Sequence, residues 1–375
     1  MPQSARVLCR RVSDLRSAVE EALDFLGYEF ADRRVWVKPN LLSPRPPEDS
    51  VTTDPELVRC VVEGLRRRGV GEAWVADNPG GALKGRVADF VARTGVPAAV
   101  GESFRDISAT PVPVSLDSRF VSEVHFSRII TEVDVILNLP VFKTHALTLL
   151  TGAVKNLFGI IPGGQKGHLH TLAPDPVDFS ELLIDIYRAV PVPVLTIVDA
   201  LRGMDGQNGP SAGRVLAIGK LITGAHPVAV DSVLARMAGV APERIPMLRI
   251  AAERGLGPVS PEEVEVLGDF ERIRGFRLPS QRLHRVMSGM IRGVYSLMRR
   301  WPALRHTRCI RCRRCADNCP AQAIVMTPLP TIDRSKCIRC YCCVEICPVQ
   351  ALRVPGFWGG VGQNLLPRRP GRTPA

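Results

Sequence analysis

The 375-residue sequence predicts an α/β fold, a mostly parallel sheet sandwich over residues 1–270, followed by a small α+β domain over residues 303–355. Two observations predict it. Short runs of β-branched residues alternate with helical patterns through the first 270 residues, and one cysteine pattern occurs twice near the C-terminus. Continuous apolar strands separated by helices mark a sheet buried on both faces.

In chain order, the strands are expected at Arg6–Cys9, Val35–Lys38, Ala73–Asp77, Val133–Asn138, Val194–Asp199 and Val215–Ile218. Helices are expected at Asp14–Leu26, Asp54–Arg68, Lys84–Arg93, Asp178–Ala189 and Val228–Met237. Asp54 followed by Pro55 is a helix start, an N-cap residue with proline at the first helical position, and Gly69 closes the same helix. A stretch of this length buries a core of its own. Cys9 and Cys60, in apolar surroundings, are expected as small buried residues.

Open α/β sheets bind ligands beyond the carboxyl ends of their strands. Those ends carry Lys38-Pro39-Asn40, Asp77-Asn78-Pro79-Gly80-Gly81, Asn138 with Lys143 and His145, and Asp199 leading to Met204-Asp205-Gly206. Singly, each is a turn or cap. Together, with lysines that a turn does not need, they describe a pocket. Lys155-Asn156 and the stretch Gly163–His170 follow, with the glycines as a lid and His168 and His170 on one side of an extended segment; surface loop histidines are the competing reading. Lysines favour a small anionic ligand and histidines proton transfer, so the catalytic candidates are Lys38, Lys143, His145 and Lys155. Neither G-x4-G-K-[ST] nor G-x-G-x-x-G occurs, which argues against both familiar nucleotide sites.

Cys309, Cys312, Cys315 and Cys319 precede Pro320, and Cys337, Cys340, Cys343 and Cys347 precede Pro348. Each half is a C-x2-C-x2-C-x3-C-P run, the spacing of bacterial two-cluster ferredoxins, in which the fourth cysteine ligates the other cluster. Two 4Fe-4S clusters are therefore expected in a ferredoxin-like domain, one on Cys309, Cys312, Cys315 and Cys347, the other on Cys337, Cys340, Cys343 and Cys319. A zinc site has no use for eight cysteines in this order, and a disulfide framework suits a small secreted domain better. Cys342 lies out of register and reads as a non-ligand.

Between the domains the charge is concentrated. Thirteen arginines and no acidic residue lie between Arg272 and Arg314, against a net charge of +12 for the whole chain, so the remainder is close to neutral. Residues 271–302 are expected as a linker in which apolar positions from Leu283 to Trp301 recur at helical spacing opposite arginines, between Ser280 as cap and Pro302 as stop. Packing on the α/β domain, peripheral contact of residues 280–302 with an anionic membrane, and docking to an acidic protein all suit such a helix. Nucleic acid fits poorly, since no stacking platform accompanies the charge. Arg308, Arg311, Arg313, Arg314 and Arg339 are expected to stabilise a reduced cluster. Residues 356–375, rich in Gly, Pro and Arg, read as a disordered tail, with Phe357 and Trp358 anchoring its start. The N-terminus has no secretory h-region and no stretch reads as a membrane span, so a cytoplasmic address, with membrane association through the basic helix, is expected.

The motifs KPNLLSP, VADNPGG, NLPVFKTH, GAVKNLFGIIPGGQKGHLH, VDALRGMDGQNGP and HPVAVDSV resemble those of domain-of-unknown-function family 362 over about residues 6–270. The resemblance implies the architecture, including the C-terminal two-cluster module, and adds weight to Lys38, Asn40, Lys143, His145, Lys155, Asn156 and Asp231. It names no reaction. The expected function is single-electron transfer to or from a site in the α/β domain or a partner redox protein, with an iron–sulfur oxidoreductase as its enzymatic version. The alternative is a binding or assembly protein with structural clusters.

Overall fold

The computed structural model describes residues 5–79, 91–107, 111–162, 165–173, 175–280, 301–317, 319, 321–337, 342–345 and 347–354. The strands of the large domain are β1 (Ala5–Arg11), β2 (Arg34–Pro39), β3 (Glu72–Val75), β4 (Pro111–Ser115), β5 (Glu123–Ser127), β6 (Val135–Leu139), β7 (Val141–His145), β8 (Leu149–Thr151), β9 (Val194–Asp205), β10 (Arg214–Gly224) and β11 (Val264–Gly268). The main sheet has the order β11-β1-β10-β9-β6-β2-β3, with β7 on β9 and β8 on β7. Its pairs are parallel except β1–β10, β9–β10 and β7–β8, so the sheet is mostly parallel as expected.

Strand alternation divides the core between two faces. Val35 and Val37 join Leu137, Leu57 and Leu23 under the helices Leu15–Phe25 and Pro55–Arg67. Trp36 joins Ile136, Phe179 and Val230 under the helices Pro176–Arg188 and Pro227–Met237. The result is a three-layer sandwich. Asp14, Asp54 and Asp175 cap their helices by accepting the backbone N–H of Ser17, Glu56 and Val177, and proline occupies the first turn of the latter two. Cys9 and Cys60 are buried as expected.

Several elements depart from expectation. β9 runs past Asp199 because its outer half pairs with Arg214–Ala217, and β10 runs past Ile218 because its buried residues Lys220–Gly224 pair with both β1 and β9. β4, β5, β7, β8 and β11 were not anticipated, and Pro140 separates β6 from β7 in what reads as one apolar stretch. Of the segment Gly163–His170, the described residues 165–170 are not extended, and Gly163 and Gly164 lie outside the described residues. Gln165–Leu172 is a helix, in which His168 is exposed and His170 buried, because residues two apart on a helix face opposite sides. The described residues do not include 281–300, where the basic helix was expected, most of Lys84–Arg93, or residues 355–375.

The small module pairs β12 (Ala303–Leu304) with β15 (Leu352–Arg353) and β13 (Ile324–Met326) with β14 (Pro330–Ile332). Its core contains Ile324, Val344, Ala351, Leu352 and Val354, and with the short helices Arg314–Asp317 and Cys342–Glu345 it is α+β. The sequence repeat is also a backbone repeat. Gln322 and Gln350, at matching positions, both have positive φ (47° and 53°). Cys319 Sγ accepts the N–H of Ala323 at 3.2 Å, and Cys347 Sγ that of Ala351 at 3.1 Å.

Candidate functional site

Beyond the ends of the central strands the predicted polar residues come together. Lys38, fully buried at the end of β2, donates to Asp77 Oδ1 at 2.6 Å, while Leu41 N donates to Asp77 Oδ2 at 2.9 Å. Burial pulls the Lys38 ammonium pKa down, and the Asp77 carboxylate opposes that. A second chain starts at Asn138 on β6. Its Oδ1 accepts from Asn156 Nδ2 at 2.8 Å, and Asn156 Oδ1 accepts from Asn40 Nδ2 at 2.9 Å. Asn40 Oδ1 then accepts from Lys143 Nζ at 2.9 Å, and the same ammonium donates to the Val51 carbonyl at 2.5 Å. Asparagine suits this role because one amide both donates and accepts, so the series carries a fixed hydrogen-bond direction. Both ammonium groups are directed at protein acceptors.

Two glycines make room for this arrangement. A Cβ on Gly159 would lie 2.4 Å from Asp77 Oδ1 and 2.6 Å from Lys38 Nζ; one on Gly152 would lie 2.0 Å from Asp231 Oδ1. Asp231 accepts the N–H groups of Ala153 at 2.6 Å and Val154 at 3.0 Å, and so holds the short helix Ala153–Asn156 that carries Lys155 and Asn156. Burial pushes Asp231 up to about 7 against those two hydrogen bonds.

The remaining candidates take other surroundings. Lys155 Nζ lies 4.9 Å and 5.6 Å from the ring centres of Phe158 and Phe179, and His170 stacks on Phe179 at 4.3 Å. His145 Nδ1 accepts the N–H groups of Leu147 at 3.1 Å and Thr148 at 3.2 Å, which assigns the proton of its neutral ring to Nε2. Asp199 accepts the N–H of Asp54 at 2.8 Å, and burial raises its pKa to about 6. The Asp54 carboxylate in turn pairs with Arg202 at 2.7 Å.

In the small module, Cys309, Cys312, Cys315 and Cys347 line one open-sided cavity together with Arg311, Arg313, Arg314 and Pro348. These are the three leading cysteines of the first run and the last of the second. All four thiols are free of disulfides. Burial pushes the Cys315 thiol up to about 11, and Cys312, Cys347 and Cys309 add to it, as they do only when the sulfurs are close. Such a set needs positive charge among the thiolates. Three cysteines of one C-x2-C-x2-C run closed by the last cysteine of the other is the donor set of a 4Fe-4S cluster in a two-cluster module, so these residues fit an iron–sulfur cluster. Of the second expected set, Cys319 and Cys337 are half-buried and Cys343 is buried. Cys340 and the Cys342 side chain lie outside the described residues.

Among the described residues, sequence reasoning missed one that joins the two domains. Arg45, 4% exposed, donates from Nη2 to the Cys347 carbonyl at 2.9 Å and pairs through Nη1 with Asp49 at 3.2 Å. Ala146, next to His145, packs against the apolar core of the module. An arginine in the run Ser43-Pro44-Arg45-Pro46-Pro47 carries no periodicity that would single it out.

Residues 308–351 match a 4Fe-4S dicluster domain, so the C-terminal module is an iron–sulfur module. A thylakoid-associated protein of Synechocystis sp. is 30% identical over 261 residues, 67% of this chain and 77% of that protein. Among solved structures, the lactate racemase apoprotein from Thermoanaerobacterium thermosaccharolyticum aligns at 10% identity and TM-score 0.40, over 64% of this chain and 58% of that one. A Thermotoga maritima protein aligns at 12% identity and TM-score 0.38, over 60% of this chain and 59% of that one. The chain thus spans under two thirds of either structure. Residues 35–236, the part that builds the strand-end network, match the domain of unknown function DUF362, and the chain belongs to that family.

Proposed function

We propose that this chain is a ferredoxin-like electron-transfer protein with two 4Fe-4S clusters, passing single electrons to or from the strand-end site of its α/β domain or a partner redox protein. Cys309, Cys312, Cys315 and Cys347 hold one cluster, and Cys337, Cys340, Cys343 and Cys319 the other. A bound cluster of this kind takes up and returns one electron. The residues around it set how readily. The N–H groups of Ala351 and Ala323 donate to Cys347 and Cys319 sulfurs, and nearby arginines add positive charge, both of which favour the reduced form.

The observation that carries the link to the α/β domain is the Arg45 hydrogen bond to the Cys347 carbonyl. Arg45 belongs to the loop that leaves β2 at Asn40 and returns through Val51, the acceptor of Lys143, and Thr53, the acceptor of Asn40 N–H. A ligand cysteine and the strand-end network are therefore braced by one loop. In a reductase version of this reading, His145 is the proton donor at Nε2, and a small anionic ligand takes the place of Asn40 or the Val51 carbonyl on Lys143. Anaerobic electron paramagnetic resonance with potentiometric titration tests the reading: two centres should reduce and reoxidise reversibly, and centres that no mediator reduces reversibly would sink it.

A second reading has one observation in its favour. The Synechocystis relative is thylakoid-associated, and among the described residues no helix is long and apolar enough to cross a membrane. Peripheral docking through the arginines of residues 280–302, with the clusters as structural staples, accounts for such an association. Co-sedimentation with anionic vesicles, abolished when Arg285, Arg292, Arg299 and Arg300 are changed to Gln, tests it.

A further inference from the structure

We propose that the outward side of the first cysteine run, Cys312 and Ile310 flanked by Arg308, Arg311 and Arg313, is the docking surface for an acidic single-electron carrier protein. The proposal rests on the electron-transfer reading and adds the place and chemistry of the partner. Cys312 is exposed, whereas Cys347, on the same cavity, is buried and turns its carbonyl to Arg45. The site therefore has an open side and a side braced to the α/β domain. Electron transfer weakens steeply with distance, so a carrier gains most by meeting the exposed thiolate.

Around Cys312 the surface has the composition of a docking patch. Ile310 is 60% exposed, and Arg308, Arg311 and Arg313 are exposed around it. Asp317 is the only acidic residue between Arg272 and Ile332, and it lies 3.5 Å from Arg313. The backbone supplies an independent argument. Arg311 and Arg313, on either side of Cys312, have left-handed φ of 55° and 63°. Glycine takes that conformation freely and L-residues rarely do. The turn itself therefore does not favour arginine at either position. The duplication isolates the same feature: Arg313 and Arg314 of the first run stand where the second run has Tyr341 and Cys342. Lys336 and Arg339 match Arg308 and Arg311, so the first run is the more basic by Arg313 and Arg314.

An acidic partner fits this patch better than a lipid surface. The apolar element at its centre is one isoleucine, too little to insert into a headgroup layer, whereas complementary charge steers association and orients the partner.

The test uses the full chain with both clusters assembled anaerobically, mixed by stopped flow with a dithionite-reduced acidic plant-type 2Fe-2S ferredoxin. The wild-type second-order rate should fall as salt rises. R311E/R313E should lower it roughly ten-fold or more at low salt, with R311Q/R313Q between. Lys336→Glu, at an exposed position outside the first run, should leave it near wild type. Spectra and potentials of each variant establish that its clusters are intact. An unchanged rate in R311E/R313E and R311Q/R313Q with intact clusters overturns the docking surface, as does an equal loss in Lys336→Glu. A patch whose reversal abolishes binding to anionic vesicles but spares the ferredoxin rate is a membrane face, and overturns it too. Wild-type clusters that accept no electron from any donor remove the electron-transfer reading itself, a distinct result.

Discussion

Lys38, on β2, and Asp77, just beyond the parallel strand β3, form a buried ion pair at 2.6 Å in a space that Gly159 leaves open. Removing one partner strands a charge, which typically costs 3–5 kcal/mol, whereas replacing both by apolar groups is often neutral. Asp77→Leu and Lys38→Met should each lower the unfolding free energy by roughly 3 kcal/mol or more, and the double variant by clearly less than their sum. Urea denaturation of all four proteins measures the coupling. Simple additivity would mean that the pair does not act as a unit. Gly159→Ala should reproduce the single-variant loss.

Asp231 links stability to pH. Burial raises its carboxyl pKa to about 7 in the folded state, against the ordinary 3.8, so the folded state binds the extra proton between those values. That contribution is complete below about pH 4 and is lost as pH rises through 7. Between pH 5 and 8 the wild type should lose roughly 3 kcal/mol through this group. Asp231→Asn cannot titrate, so its deficit against wild type should shrink by that amount over the same interval. Paired denaturation curves at pH 5 and pH 8 check it. A deficit independent of pH would place the proton elsewhere.

How much of this was legible in the sequence depends on where the partners lie. Lys38, Asn40 and Asn138 could be picked out because they end or closely follow apolar runs, and a parallel sheet gathers such ends on one edge. Asn156 stood in a short motif with no strand to place it, and the structure makes it the hub of the asparagine chain. His170 was misplaced because Gly163, Gly164 and Gly167 read as a loop, whereas burial of Lys166, Leu169 and His170 along one side makes the segment helical. Arg45 was not legible at all, since its partner is 302 residues away. The spacing of the cysteines, by contrast, carried its chemistry directly, because a C-x2-C-x2-C run is itself the geometry of a ligand set.

The crossed assignment of the fourth cysteines makes a specific expectation. Cys347 lies in the second run but borders the cavity of the first, so Cys347→Ser should perturb the cluster held by Cys309, Cys312 and Cys315. Iron and sulfide content should drop by up to half, with the paramagnetic signal of that centre altered or lost. A second variant, Cys309→Ser, should affect the same signal, and Cys319→Ser the other. Should Cys347→Ser instead match Cys337→Ser, each run would hold its own cluster.

Arg45 provides the measure of how closely the two domains are coupled. Its guanidinium is buried and forked between Asp49 and the Cys347 carbonyl, and in the electron-transfer reading it should stabilise the more negative, reduced state of a cluster on Cys347. At an effective dielectric of about 20, a unit charge within about 10 Å contributes on the order of 1–2 kcal/mol. For one electron that is several tens of millivolts. Arg45→Gln removes the charge while retaining an amide donor for the carbonyl, and should lower the potential of one centre by that amount and leave the other near wild type. Arg45→Lys keeps the charge without the fork and should restore most of the potential. Potentiometric titration of the three proteins separates charge from packing: equal shifts in both variants would mean that Arg45 acts through the position of Cys347 alone.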